Sequence, residues 1–187
     1  MVDDRVEGLM SSTRIVDGVV SVLADRGAGA LSVRSVAAAA GVSPAQVQYY
    51  YRTKGELIRA GFNHAGEQFV ADIRAADPTT LRDIVEQWLP LDSPRERRAR
   101  VWLAYAALSA VDAELAAESA RLDEELRRWL AGRGLSVHTA SQLFALIDGV
   151  TVQCLVLPMP ERRALIDRVI SPFIAELGGG VAAGEQL

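Results

Sequence analysis

Between positions 32 and 54 the chain gathers hydroxyls, amides and cations in close order: Ser32, Arg34, Ser43, Gln46, Gln48, Tyr49, Tyr50 and Lys54. A glutamine amide sets a donor beside an acceptor, the pair that matches an adenine edge in the major groove. Serine and tyrosine hydroxyls donate to phosphate oxygens, and a lysine ammonium is a point charge for them. Lys54 is the only lysine in the 187 residues. The residue types therefore divide into two tasks. Lys54, Tyr49 and Tyr50 suit phosphates, while Gln46, Gln48 and Arg34 suit or abut base edges. Ser32 and Ser43 precede apolar periodic segments, where a serine caps a helix and can also donate to phosphate.

Such groups read a duplex only from a slim helix that fits a groove about 12 Å wide. The sequence predicts one. Ser43-Pro44-Ala45-Gln46 is a capping box with proline at the first helical position, and Gly41 breaks the chain just before it. The helix so opened places Val47 and Tyr51 four apart as inward anchors and leaves Gln46, Gln48, Tyr49 and Tyr50 outward. A shorter helix over 33–40 follows the Ser32 cap. Two capped helices joined by a glycine turn make a helix-turn-helix over residues 33–51. Ahead of it, Ile15, Val19, Val22 and Leu23 line one face of a helix over 12–26, which Gly27 stops. The helix begun at Lys54 runs to about 75, where Asp77-Pro78 ends it.

The rest of the chain also reads as helices, with no strand alternation or hairpin signal. Helices are expected over 80–89, 94–110, 112–131, 137–157 and 161–177. Ser93-Pro94-Arg95-Glu96 reads as a second capping box, and Arg95, Arg97, Arg98 and Arg100 give that helix a solvated start. The 137–157 helix is apolar on every side, which predicts burial on every side. Pro172 is expected to kink the last helix, and 178–187 is glycine-rich with nothing to pack.

Composition bounds the function. Half of the residues are apolar and 24% are charged, a globular balance. The net charge of −4 hides an asymmetry: residues 1–55 hold six basic and five acidic side chains, net +1, and the remainder is net −5. No apolar run is long enough to span a bilayer, and the acidic N-terminus lacks the apolar stretch of a signal peptide. The single cysteine, Cys154, cannot form an internal disulfide, so a cytoplasmic setting is expected. It reads as a small hydrophobe. No nucleophile–base–acid set appears, and no cofactor motif is present. His64 and Glu67 stand at i, i+3, but two histidines and one cysteine leave too few ligands for a metal shell. A small-molecule enzyme and a helical protein-interaction module remain as rivals to a DNA-binding protein.

Residues 13–64 resemble the DNA-binding domain of the TetR family of bacterial transcriptional repressors. The resemblance lies in Arg14-Ile15-Val16-Asp17, Ala24-Asp25-Arg26-Gly27, Ser32-Val33-Arg34-Ser35-Val36-Ala37, Ala40-Gly41-Val42-Ser43 and Tyr49-Tyr50-Tyr51-Arg52-Thr53-Lys54-Gly55-Glu56-Leu57-Ile58. The last two helices, with Leu146-Ile147-Asp148-Gly149-Val150, resemble the BetI-like regulatory half. The family usually carries tyrosine where this chain has Gln48, and phenylalanine at Leu23 and Tyr51. The phosphate role then falls on Tyr49 or Tyr50.

The resemblance implies an all-α fold with two parts: a three-helix DNA-binding domain at 1–54 and a helical regulatory and dimerisation domain at 55–187. It implies a homodimer joined through 137–157 and 161–177, which presents two recognition helices to a palindromic operator. It also implies a small organic effector that releases DNA, held in a cleft between middle helices. Phe62, Phe69, Trp88, Trp102, Tyr105 and Phe144 are the candidate lining, with Trp129 beside them. All three tryptophans fall on these middle helices.

Overall fold

A computed structural model describes residues 3–181, with side chains over 12–177. Among them there are nine α-helices and no strand. The first four are α1 (Asp3–Arg26), α2 (Val33–Ala40), α3 (Pro44–Tyr50) and α4 (Lys54–Ala76). The other five are α5 (Leu81–Trp88), α6 (Ser93–Ser109), α7 (Ala113–Ala131), α8 (Val137–Leu155) and α9 (Met159–Val181). The helix expected from residue 12 begins at Asp3. The tail expected at 178–187 is helical as far as Val181, and its last six residues lie outside the described residues.

Two compact units divide the chain. One takes the residues up to Asp72 together with Arg97–Ala113; the other takes Ile73–Glu96 and Glu114 onward. α6 therefore gives its first turn to the second unit and the rest to the first.

In the first unit, Ile15, Val19, Val22 and Leu23 of α1 are buried with Val36, Ala37, Val47, Leu57 and Ile58. Each aliphatic side chain so enclosed contributes about 1.5–3 kcal/mol. α1 lies close to its neighbours because two glycines allow it. A Cβ on Gly18 would sit 3.0 Å from Ala40 Cβ, and one on Gly61 of α4 would sit 2.6 Å from Val19 Cγ1. The turn between α2 and α3 depends on Gly41, whose φ of 64° is left-handed, a conformation open to glycine without steric cost.

In the second unit, Val85 and Leu89 meet Leu130 of α7, Leu143, Ile147, Val150 and Cys154 of α8, and Ile166 and Ile170 of α9. Cys154 is fully buried, and burial raises the pKa of its thiol. α8 departs from the expectation of burial all round. Ala145, Gly149, Val152 and Val156 form an exposed stripe, with Val156 82% exposed. One chain covers only one side of this apolar helix. Pro172 lies inside α9.

Candidate nucleic-acid interface

α3 is built by its ends. Ser43 Oγ accepts from Gln46 N at 3.2 Å, and Gln46 Oε1 accepts from Ser43 N at 3.0 Å. Pro44 fills the first helical position, and Tyr51 closes the helix with its N–H donating to Val47 O at 2.8 Å. Val47 is the inward anchor, fully buried. Around it Gln46, Gln48 and Tyr49 are exposed and Tyr50 is half-buried. Tyr49 is 80% exposed, and its ring meets Tyr50 edge to face at 5.2 Å. A large aromatic ring set in water beside two amides is an unusual helix surface for a monomer.

The remaining expected contacts surround this helix. Ser32 caps α2 reciprocally with Ser35: Ser32 Oγ accepts from Ser35 N at 3.1 Å, and Ser35 Oγ accepts from Ser32 N at 2.9 Å. Arg34 is exposed on the first turn of α2, and Lys54 is exposed as the first residue of α4. All eight residues thus belong to three neighbouring helices and their caps. The N-terminus of α4 is already occupied by its own chain. Thr53 Oγ1 accepts from Glu56 N at 3.1 Å, and Glu56 Oε2 accepts from Arg52 N at 2.8 Å. With a carboxylate in that turn, attraction to phosphate rests on the Lys54 ammonium and not on the helix end.

One contributor escapes sequence reasoning. Arg14 Nη2 donates to Gly41 O at 3.0 Å and ties α1 to the helix-turn-helix bend. The available signal was the left-handed glycine itself, whose carbonyl needs a partner where the helix stops.

The aromatic residues expected to line an effector cleft fall into both units. Phe62, Phe69, Trp102 and Tyr105 belong to the first; Trp88, Trp129 and Phe144 belong to the second. Phe62 stacks on buried Tyr105 at 3.8 Å, and the Arg98 guanidinium lies 4.9 Å from the Phe69 ring centroid. Trp102 is half-buried on α6. Trp88 meets Trp129 edge to face at 5.7 Å, while the Arg127 guanidinium lies 5.9 Å from the ring of Phe144.

The second unit also holds a carboxylate pair that composition gave no reason to single out. Burial pushes Asp148 of α8 up to about 6, and the charge of Asp123 on α7 adds to the shift. Burial raises Asp123 as well, against the opposing pull of Arg127. His64, weighed above as a metal ligand, pairs with Asp17 at 3.0 Å and with Gln68 Nε2 at 3.0 Å. No group of three or more metal-ligating side chains occurs among the described residues. None of the described helices is long and apolar enough to cross a membrane.

The family models decide the identity. Residues 15–60 match the model of bacterial regulatory proteins of the tetR family, and 78–179 match the C-terminal part of BetI-type transcriptional repressors. The second match alone covers more than half of the chain. The chain belongs to the TetR family. It is a helix-turn-helix regulator of transcription with a BetI-type regulatory half. Among curated relatives it is similar to the HTH-type transcriptional repressor LfrR of Mycolicibacterium smegmatis, at 40% identity over 83 residues. That match spans 41% of this chain and 43% of the relative. A transcriptional regulator from Rhodococcus sp. Rha1 shares the fold with a TM-score of 0.82 at 24% identity, over 93% of this chain and 99% of the other. The multidrug binding protein EbrR, solved with malachite green, gives a TM-score of 0.65 at 26% identity, over 86% and 96%.

Proposed function

We propose that this TetR-family regulator is a repressor that binds a palindromic operator as a homodimer and is released by a small organic effector. The observation that carries the reading is α3, whose buried Val47 leaves Gln46, Gln48 and Tyr49 on an exposed face. In this reading Gln48 and Arg34 meet base edges, while Tyr49, Tyr50, Lys54, Ser32 and Ser43 hold phosphates. Gln46 contributes its Nε2 donor, since its Oε1 closes the helix cap. Residues 1–54 form the DNA-binding part and 55–187 the regulatory part. The open stripe of α8 supports pairing of α8 and α9 with their twins, which sets two copies of α3 on one two-fold axis.

The effector we infer is an aromatic cation. EbrR has been solved with malachite green and with ethidium, dyes whose rings carry a delocalised positive charge. In this chain the second unit holds Trp88, Trp129 and Phe144 together with Asp148 and Asp123. The Arg133 and Arg127 guanidinium groups, 3.2 Å from the Trp129 centroid and 5.9 Å from that of Phe144, occupy two of these rings as an effector cation would.

The test is a genomic pull-down of bound DNA, followed by titration of the recovered duplex. Enrichment of a palindromic segment near a gene start is expected. Recovery of DNA without sequence preference defeats the operator reading. Titration with malachite green should change tryptophan fluorescence and release the duplex together; quenching with the duplex still bound defeats the effector reading.

A further inference from the structure

The turn that ends α7 lays a cation on an indole face. Gly132 and Gly134 follow the helix, and Gly134 holds a left-handed φ of 85°, which a glycine adopts without steric cost. Arg133 stands between them. Its Nη1 donates to Trp129 O at 3.0 Å, and its guanidinium carbon lies 3.2 Å from the Trp129 ring centroid. The Trp129 indole is half-buried and meets Trp88 edge to face, with the two planes at 77°. A flat, weakly hydrated cation stacks on tryptophan and donates to a nearby carbonyl in the way a bound ligand would. Here the chain itself supplies that cation.

Other guanidiniums placed over rings are held by carboxylates. Arg98, 4.9 Å from the Phe69 centroid, donates to Asp72 at 2.6 Å. Arg127, 5.9 Å from that of Phe144, pairs with Glu124 at 3.4 Å. Arg133 has no carboxylate partner among the described residues. Although the residue is exposed, burial of part of its guanidinium lowers the pKa. The group has given up water without gaining an anion in return, so turning it out into solvent restores its hydration and breaks no ion pair. What is lost is one hydrogen bond to a carbonyl at the helix end and the stacking itself.

We propose that Arg133 is a built-in competitor for the Trp129 face, which a planar aromatic cation bearing N–H donors takes by displacing it. Aromatic amidines are the class that the contact describes: a delocalised charge to lie on the indole and an N–H to donate to Trp129 O. Arg133 thereby sets the concentration at which such a cation binds. Every residue involved lies in the second unit, and the consequence for DNA rests on the effector reading above.

The experiment uses the full chain without DNA. Benzamidine, an aromatic amidinium, is the probe, and the uncharged benzamide is its control. Tryptophan fluorescence titrations compare the parent chain, Arg133→Gln, Trp129→Leu and the double variant. Arg133→Gln should bind benzamidine about two- to tenfold more tightly than the parent and benzamide nearly as before. That gain should disappear when Trp129→Leu is added. Benzamidine affinity unchanged by Arg133→Gln overturns the competition. Equal gains for benzamidine and benzamide do so as well, since Arg133 would then be a steric cover. A role as helix cap alone would lower the melting temperature and leave the benzamidine-to-benzamide ratio where it was, which also overturns the proposal. Should Trp129→Leu not fold, Trp129→Phe keeps a ring with a weaker face, and a gain undiminished in that background counts against Trp129 as the contested surface. Benzamidine that binds Arg133→Gln more tightly yet releases no operator duplex would leave the competition standing and defeat the effector reading.

Discussion

Gln46 and Gln48 lie two positions apart on α3 with the same side chain, yet their local chemistry differs. Gln46 Oε1 accepts from both the N–H and the hydroxyl of Ser43, so a bidentate match to adenine would cost the helix its cap. Gln48 is exposed on the same helix. Gln48→Ala should therefore weaken operator binding by about 1–3 kcal/mol and leave random DNA nearly unchanged. Gln46→Ala should lower the melting temperature as well, since losing such a cap costs about 1 kcal/mol. Lys54→Ala should weaken operator and random duplexes alike and reduce the salt slope by about one. Gel shifts at several salt concentrations separate these patterns, and equal losses on both duplexes for Gln48→Ala would assign it to phosphate. Asp148 makes a prediction of another kind. Its folded pKa of about 6 lies above the ordinary 3.8, so the native state holds a proton that the unfolded chain has released. Stability from this group falls as pH rises from about 4 to 6 and stays low above that window. Asp148→Asn should raise stability at pH 7 by about 1 kcal/mol, because the carboxyl keeps partial contact with water. The gain should vanish near pH 4. Thermal melts at both pH values decide it, and an equal gain at both would show that the group does not titrate as described.

At the scale of helices, what local rules govern was legible and what distant partners govern was not. The α3 boundary follows from Ser43, Pro44 and Gln46, all within four residues, and it stands where the sequence predicts. The start of α6 looked like the same pattern and is not. Asp92 Oδ1, not Ser93, accepts from Arg95 N at 2.8 Å, and Glu96 turns to Arg162, 66 residues away. A buried guanidinium attracts a carboxylate more strongly than a backbone N–H does, and no local motif announces that competition. The aromatic residues show the same limit: their types do not tell that Phe62, Phe69, Trp102 and Tyr105 belong to one unit and Trp88, Trp129 and Phe144 to the other. Glycine spacing likewise conceals Gly61, which lies inside a helix where sequence rules expect only a cost. A Cβ there would meet Val19 Cγ1 at 2.6 Å. Gly61→Ala should push α4 off α1 at a cost of about 1–3 kcal/mol. Operator affinity should fall with it, because Lys54 rides on the displaced helix. A melting temperature equal to that of the parent chain would show that Val19 yields without moving α4.

For the whole molecule, the question is which surfaces of α8 and α9 are left for a second chain. The apolar face of α9 includes both Ile170 and Phe173, yet Ile170 is fully buried in the second unit's own core while Phe173 packs half-buried against it. Apolar periodicity reports burial without saying by which chain, so the two demands could not be separated in sequence. The exposed residues make the distinction. Gly149 and Ala145 are small enough for a helix to approach closely, and Val152 and Val156 flank them on the open side of α8. Val152→Glu should place a charge in the proposed interface while leaving the monomer core untouched. Light scattering at micromolar concentration should then report a monomer with unchanged helical content. Operator affinity should collapse, because one recognition helix alone makes half of the contacts. Ile170→Glu should behave differently, burying an unpaired carboxylate and unfolding the second unit. A Val152→Glu protein that remains a dimer would exclude this face of α8 from the interface.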